Sequence, residues 1–302
     1  MALNLIKVLF LFKACTTGGI GLLINLFEPY LPVALLKVFK YGKFASTAQD
    51  RFLEKLEVPK RWFKHFYVLA GPLSTLTLVI FVNRYFMNQP LPNFVVNTLE
   101  FCLNKPIPFN VPAENVLLGL VIFMIHCWKR FYETHFISIF SDTYMNFSIY
   151  LVGLSHYVGT IISIIGETHN ISNNKSIQLD WSRLTVIDYI FALIFLLASY
   201  VQLRTNKILA SLRKDKNGKV VTKKHKIPHG GLFEFISAPL QLTEIILYVC
   251  LLVILRGAST YCYVAFWVIV NQLECAYMSH KWSIETFKDY PKNRYTVIPY
   301  IY

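Results

Sequence analysis

Long apolar runs alternate with short polar or cationic stretches along the whole chain. The runs fall at roughly 8–27, 66–83, 114–128, 143–166, 186–203, 237–255 and 257–275. A helix crosses the hydrocarbon core of a bilayer in about 20 residues. The pattern therefore predicts an all-α, polytopic membrane protein of about seven transmembrane helices. The third run is short, and the sixth carries Glu244 near its start. The stretch 29–41 is broken by Pro29, Pro32, Lys37 and Lys40 and is expected at the membrane interface. The opening residues Met1–Phe12 resemble a secretory signal, but apolar character resumes after Lys13 and continues to Phe27 without a small-residue cleavage site. A retained first helix is expected. With no internal repeat or low-complexity tract, residues 1–302 read as a single integral membrane domain.

Charge sets the expected orientation. Residues 37–65 hold eight Lys/Arg against three Asp/Glu, and residues 204–226 hold nine against the single acid Asp215. The intervening loops 84–113 and 167–183 are close to neutral. The positive-inside rule places the basic set in the cytosol. An odd number of spans then puts the N-terminus in the lumen and the C-terminus in the cytosol. The sequons at Asn170 and Asn174 lie in a loop expected to be lumenal. A third, at Asn146, falls inside an expected span.

Composition narrows the function classes. The 302 residues are 55% hydrophobic and 16% charged, with a net charge of +13, against about 25% charged in a soluble domain. Such a balance argues against a nucleic-acid binder, which needs its basic patch on a water-facing surface. The six cysteines form no CxxC pair, so a zinc site or disulfide framework is not expected.

Three segments carry candidate chemistry. The first is 202–244, which combines nine cations with Gly230-Gly231. It reads either as an ordinary cytosolic loop or as a cradle for a polyanion such as a dinucleotide phosphate. The absence of a GxGxxG argues against a Rossmann domain. The second is the polar and aromatic strip from His280 through Tyr290 to Arg294, which reads either as an interfacial anchor or as part of a site. The third is His126, Lys129, Arg130 and Glu133, with helix-spaced members on one face. Ionisable groups at membrane depth point to function by default, and the alternative is a boundary cluster in which Glu133 pairs Arg130. Asp188 and Glu244 pose the same question. His156 and Tyr157 read as a bundle hydrogen bond.

These residues resemble the steroid 5-alpha-reductase family, most closely its polyprenol reductase branch. The pattern His280…Phe287…Tyr290-Pro291-Lys292-x-Arg294…Ile298-Pro299 looks like the family's closing signature. Lys226-Ile227-Pro228…Gly230-Gly231-Leu232-Phe233-Glu234-Phe235, followed by Ser237 and Glu244, looks like its cofactor region. The run Val58-Pro59-Lys60-Arg61-Trp62-Phe63-Lys64-His65-Phe66-Tyr67 and the segment through Arg130, Tyr132, Glu133 and Ser138–Ser141 suggest the branch. The resemblance implies a seven-helix endoplasmic-reticulum enzyme that uses NADPH to saturate a carbon–carbon double bond of a long polyisoprenoid, giving dolichol for protein glycosylation. A steroid or enoyl-thioester reductase of the same family is the alternative, with an isoprenylcysteine-type membrane methyltransferase more remote. It implies a cofactor-binding region at 202–302, in which Gln202, Asn206, Arg213, Gly230, Gly231 and Arg294 hold the dinucleotide. Glu244 and Tyr290 would orient its nicotinamide or ribose, His280 would be an essential pocket residue, and His126 would donate a proton at the substrate oxygen. The chain departs from the family at Leu240, where an asparagine is expected, and at Ser283, where steroid-reducing members carry a tyrosine.

Overall fold

The computed structural model describes residues 3–44, 51–103, 111–169 and 178–301. The sequons at Asn170 and Asn174 lie outside these residues. The architecture is an all-α bundle. Its helices are α1 (Leu5–Phe27), α2 (Val33–Phe39), α3 (Arg51–Glu54), α4 (Lys64–Phe86), α5 (Asn93–Leu103), α6 (Ala113–Tyr132), α7 (Phe147–Ile165), α8 (Val186–Ser211), α9 (Pro239–Ile254) and α10 (Ser259–Thr286). Among the described residues, four segments are long and apolar enough to cross a membrane: Leu5–Tyr30, Lys60–Phe86, Phe147–Ile165 and Val186–Ser211. α1 and α8 present rows of exposed apolar side chains, among them Leu11, Phe12, Ile190, Leu193 and Leu197. Patches of this kind are costly in water and suit contact with lipid. The other long helices, α6 and α10, each carry three charged residues, Glu114, Lys129 and Arg130 in α6 and Glu274, Lys281 and Glu285 in α10. In α6 those charges lie on a buried face, packed against α4, α8 and α9.

Several expected boundaries shift. The run predicted from 143 begins its helix at Phe147, because Tyr144–Asn146 form a short strand, β2, antiparallel to β1 (Glu57–Pro59), with Val58 opposite Met145. Asn146 instead caps α7, accepting from the backbone N–H of Ser148 at 2.9 Å. α8 runs two turns past its predicted end, which places Asn206 on the same helix as Gln202. α10 continues to Thr286, so His280 and Ser283 sit on the same helix as the preceding apolar run. α5 occupies a stretch read as loop. The segment 29–41 forms a single turn at Glu28–Tyr30 and then α2.

Two buried carboxylates have structural roles: Asp188, which the sequence marked by its depth, and Glu167, which it placed in a loop. Asp188, fully buried, closes a capping box with Thr185 and pairs Arg256 at 2.7 Å. Glu167, also buried, caps α10 from outside the helix. It accepts from the backbone N–H groups of Ser259 (2.7 Å) and Thr260 (2.8 Å) and from both hydroxyls (2.9 and 2.5 Å). Helix starts leave unpaired N–H donors, and the residue at the cap position, Ala258, supplies no side chain for them. Glu167→Ala should therefore cost about 3 kcal/mol, the combined scale of a lost cap and lost charge-assisted hydrogen bonds. The expected result is a clear fall in melting temperature in detergent, with Glu167→Gln intermediate. An unchanged melting temperature would show that α10 starts without this cap.

Candidate functional site

The site forms where α4 begins and α6, α8 and α10 end. Here the chain encloses a cavity of about 410 Å³, within the range of small-molecule sites. Its wall includes Lys43, Lys60, Arg213, Lys224, Lys226 and His225, and among the described residues no Asp or Glu. The two strands bring Lys60 there, since its backbone N–H donates to the carbonyl of Thr143 at 2.9 Å directly after β1. Lys43 donates to Ser279 Oγ at 2.6 Å, and its ammonium lies 4.6 Å from the centroid of the Trp282 ring. Arg213 joins two wall segments, donating to the carbonyl of Ile139 and lying 3.5 Å from His225 Nδ1.

Crowded, half-buried cations repel one another's protons. Burial, and then Lys60, bring the Lys43 ammonium down to about 8. Burial, followed by Arg213, Lys43 and Lys60, lowers His225 to about 4. A polyanion entering this space relieves the repulsion.

The C-terminal tail closes one side. Backbone N–H groups of Ser237 and Ala238 donate to the carbonyls of Tyr295 (2.8 Å) and Thr296 (3.1 Å), and Tyr295 donates back to Phe235 (2.9 Å). Tyr290 is thereby fixed at the cavity wall, its hydroxyl donating to Ser237 Oγ at 2.7 Å. His280 reaches the same oxygen through Nδ1 at 2.6 Å. Behind Tyr290 lies Arg294, buried, with its guanidinium 5.5 Å from the ring centroid and Nη2 3.3 Å from His229 Nδ1. Its Nε and Nη1 have no hydrogen-bond partner among the described residues. Buried unpaired donors are rare, and an anion would satisfy these two. Gly230 and Gly231 lie outside the cavity wall, where φ values of 91° and 58° require glycine for the turn that leads into Phe233 and Ser237.

A second group lies deeper, inside the bundle. Glu133 is fully buried, paired with Arg130 at 2.5 Å and Lys129 at 3.3 Å, and accepts from Asn206 Nδ2 at 3.1 Å. Lys129 also donates to Gln202, whose Nε2 donates to Glu244 at 2.6 Å. Arg130 Nε donates to the Tyr67 hydroxyl at 3.0 Å. His126, buried 4.0 Å from Glu244, has neither ring nitrogen hydrogen-bonded among the described residues. Asn206 belongs to both groups, lining the cavity while bonding Glu133.

A family profile described as 3-oxo-5-alpha-steroid 4-dehydrogenase matches residues 173–302. Over almost its full length the chain is also similar to curated relatives. It is 33% identical to a Drosophila melanogaster polyprenal reductase, over 99% of this chain and 94% of that protein. It is 32% identical to a Caenorhabditis elegans polyprenal reductase, over 86% and 85%, and 26% identical to that of Homo sapiens, over 93% and 92%. The chain belongs to the steroid 5-alpha-reductase family, in its polyprenal reductase branch. Against this background the structure gathers the sequence-flagged residues into two neighbouring sets. Asn206, Arg213 and Tyr290 line the cavity, with His280 reaching its wall through Ser237 and Arg294 lying behind Tyr290. Gln202, Glu244 and His126 belong to the deeper group. Both positions at which the chain departs from the family pattern, Leu240 and Ser283, line the cavity. Sequence reasoning missed Lys43, Lys60 and the central role of Ser237. Lys60 lies within the 58–67 stretch noted above, whereas nothing in the sequence near Lys43 marks it.

Lys43 generates a pH test. At pH 7.5 most of it is charged, and at pH 9 about one-tenth is. A bound phosphate raises the ammonium's pKa, so binding takes up a proton and weakens as pH rises through 8. Affinity for the probe adenosine 2′,5′-bisphosphate should fall about 5- to 10-fold between pH 7.5 and 9. Lys43→Met should bind more weakly at pH 7.5 and show a flatter profile. An equal pH dependence in the variant, measured calorimetrically, would place the phosphate elsewhere.

Proposed function

We propose that this protein reduces the α-carbon–carbon double bond of a long-chain polyprenol, presented as polyprenal, with NADPH as reductant, yielding the saturated dolichol series used in protein N-glycosylation. The observation that carries the reading is the carboxylate-free, cation-lined cavity joined through Asn206 to a buried cluster of ionisable groups. One part suits a phosphorylated dinucleotide and the other suits chemistry shielded from water. The names of the relatives supply the substrate class.

The residues fit the cofactor. The orphaned donors of Arg294 and the cations Lys43, Lys60 and Arg213 suit its phosphates. The 202–302 region holds most of the binding residues. When bound, NADPH supplies a hydride for the β carbon. An isolated allylic alcohol has no place for the resulting charge, whereas an enal moves it onto the carbonyl oxygen. His126, its ring nitrogens uncommitted, is the group assigned to donate a hydrogen bond or proton to that oxygen. Glu244, held by Gln202, orients what lies between it and His126. His280 and Tyr290 fix Ser237 at the cavity wall. The polyisoprenoid tail is too long to enclose and lies along apolar helix faces in the lipid.

Purified protein incubated with NADPH and a panel of polyprenal, steroid enone and enoyl-thioester should reduce polyprenal most efficiently, with products identified by mass spectrometry. NADH should be a much poorer donor. Preferential turnover of the steroid enone, or equal use of both nucleotides, would overturn this assignment.

The same reading places seven spans in the endoplasmic-reticulum membrane, with the N-terminus lumenal and the cation-lined cavity facing cytosolic NADPH. The loop charges and the exposed apolar faces of α1 and α8 support it. Glycosidase should shift the protein through Asn170 or Asn174, while a C-terminal tag on microsomes should be protease-sensitive. Protection of that tag would reverse the orientation.

A further inference from the structure

Lys13 is a buried cation that the proposed site does not use. It sits on α1, 4% exposed, and donates to Ser155 Oγ at 2.9 Å and to the carbonyl of Val152 at 3.3 Å on α7. Its ammonium lies 4.8 Å from the Phe10 ring centroid and 5.1 Å from that of Trp267. Among the described residues no carboxylate comes within ion-pair distance of it. A charge buried without a counter-charge is costly inside a membrane protein. Keeping it is explicable if a negative charge develops nearby during turnover.

The neighbouring groups show where that charge would form. His156 on α7 is an electrostatic neighbour of Lys13 and stacks obliquely on Trp267, with centroids 4.8 Å apart. Its Nε2 lies 2.5 Å from the Tyr248 hydroxyl, and both residues are buried. Tyr248 lies one helical turn beyond Glu244 on α9, on the same face. Glu244, Tyr157 and Tyr67 surround it, with Tyr67 hydrogen-bonded to Tyr157. The Tyr248 hydroxyl has no partner other than His156 among the described hydrogen bonds. It therefore keeps hydrogen-bonding capacity uncommitted, one turn along α9 from Glu244.

We infer that Tyr248 is the acid that protonates the α carbon during polyprenal reduction, with His156 and Lys13 as positioning residues behind it. The inference rests on the enal-reduction reading above and concerns the one proton that ends on carbon; His126 hydrogen-bonds the oxygen and keeps its own proton. After hydride reaches the β carbon, the π electrons of the double bond reside in an enolate. As the carbonyl re-forms, that electron pair takes the Tyr248 hydroxyl proton to make the α C–H bond, leaving a tyrosinate. The Nε2–H of His156 hydrogen-bonds this tyrosinate, and the Lys13 ammonium behind it supplies positive potential. The hydroxyl regains its proton from solvent once product has left. Overall, one hydride and one proton add across one double bond. The arrangement explains why a lysine without a carboxylate is kept beside a tyrosine–histidine pair at this depth.

The test uses the full-length protein in detergent with polyprenal, and reads nucleotide binding separately from turnover. Tyr248→Phe should bind NADPH within about threefold of wild type by fluorescence titration, which also reports folding. Its kcat should fall about 10²-fold or more. Proton transfer should then limit the rate, so the solvent deuterium isotope effect should rise while the effect from deuterated NADPH shrinks. Lys13→Met and His156→Phe should show the same isotope signature with smaller losses of kcat, and Lys13→Arg should recover most of the activity. A purely structural role would lower the amount of active enzyme and leave both isotope effects unchanged. Tyr248→Phe retaining more than half of wild-type kcat, or isotope effects unmoved in all three variants, would overturn the inference. Failure of the wild type to reduce polyprenal with NADPH would instead overturn the parent reading.

Discussion

A carboxylate with no access to water organises this bundle. Glu133 is fully buried and can keep its charge only if cations and hydrogen-bond donors surround it. Arg130 and Lys129 come from its own helix, and Asn206 comes from α8. Arg130 then reaches Tyr67 on α4, and Lys129 reaches Gln202, which holds Glu244 on α9. One buried charge thus fixes the relative positions of α4, α6, α8 and α9 through polar contacts. The helix ends at Tyr132 and opens into a wider turn over Glu133–Ile137, a local distortion of the kind often found at functional positions. The polar members of α6 explain why it is less apolar than its neighbours, since their solvent is the rest of the protein.

At the cavity end the balance of charge is inverted. Lys43, Lys60, Arg213, Lys224 and Lys226 share a wall that offers no carboxylate. Their mutual repulsion is a cost the free protein carries and a phosphorylated ligand removes. The C-terminal tail holds this end together through main-chain hydrogen bonds between 235–238 and 295–296, so Tyr290 and Arg294 are placed by backbone geometry rather than by chance contact of long side chains. Ser237, where His280 and Tyr290 converge, is the joint between helix and tail.

The cation-lined cavity and the buried ion cluster are adjacent. A cationic cavity alone describes many cytosolic loops, and a buried ion cluster alone describes many membrane bundles. Asn206 touches both, and Leu240 and Ser283, the two departures from the family pattern, fall on the shared wall. A leucine there offers no side-chain hydrogen bond to whatever occupies the cavity. Glu244 lies beyond the wall, held by Gln202.

The apolar runs by themselves determined the helical bundle, because a 20-residue stretch without charge has few folded alternatives. The same pattern did not mark the ends of α8 and α10, where polar residues continue the helix once tertiary partners satisfy them. It also missed β1 and β2, whose three-residue strands exist only because two distant segments meet. Helix spacing brought out His126 and its neighbours, depth brought out Glu244, and the family resemblance brought out Gln202, Asn206, His280, Tyr290 and Arg294. Depth alone did not separate function from architecture, and only the structure showed Asp188 closing a cap and pairing Arg256. Lys13, Lys43 and Lys60 were legible as cations and nothing more. Their roles were decided by the tertiary fold, because an electrostatic environment is a property of which charges end up near one another, and sequence distance does not set that.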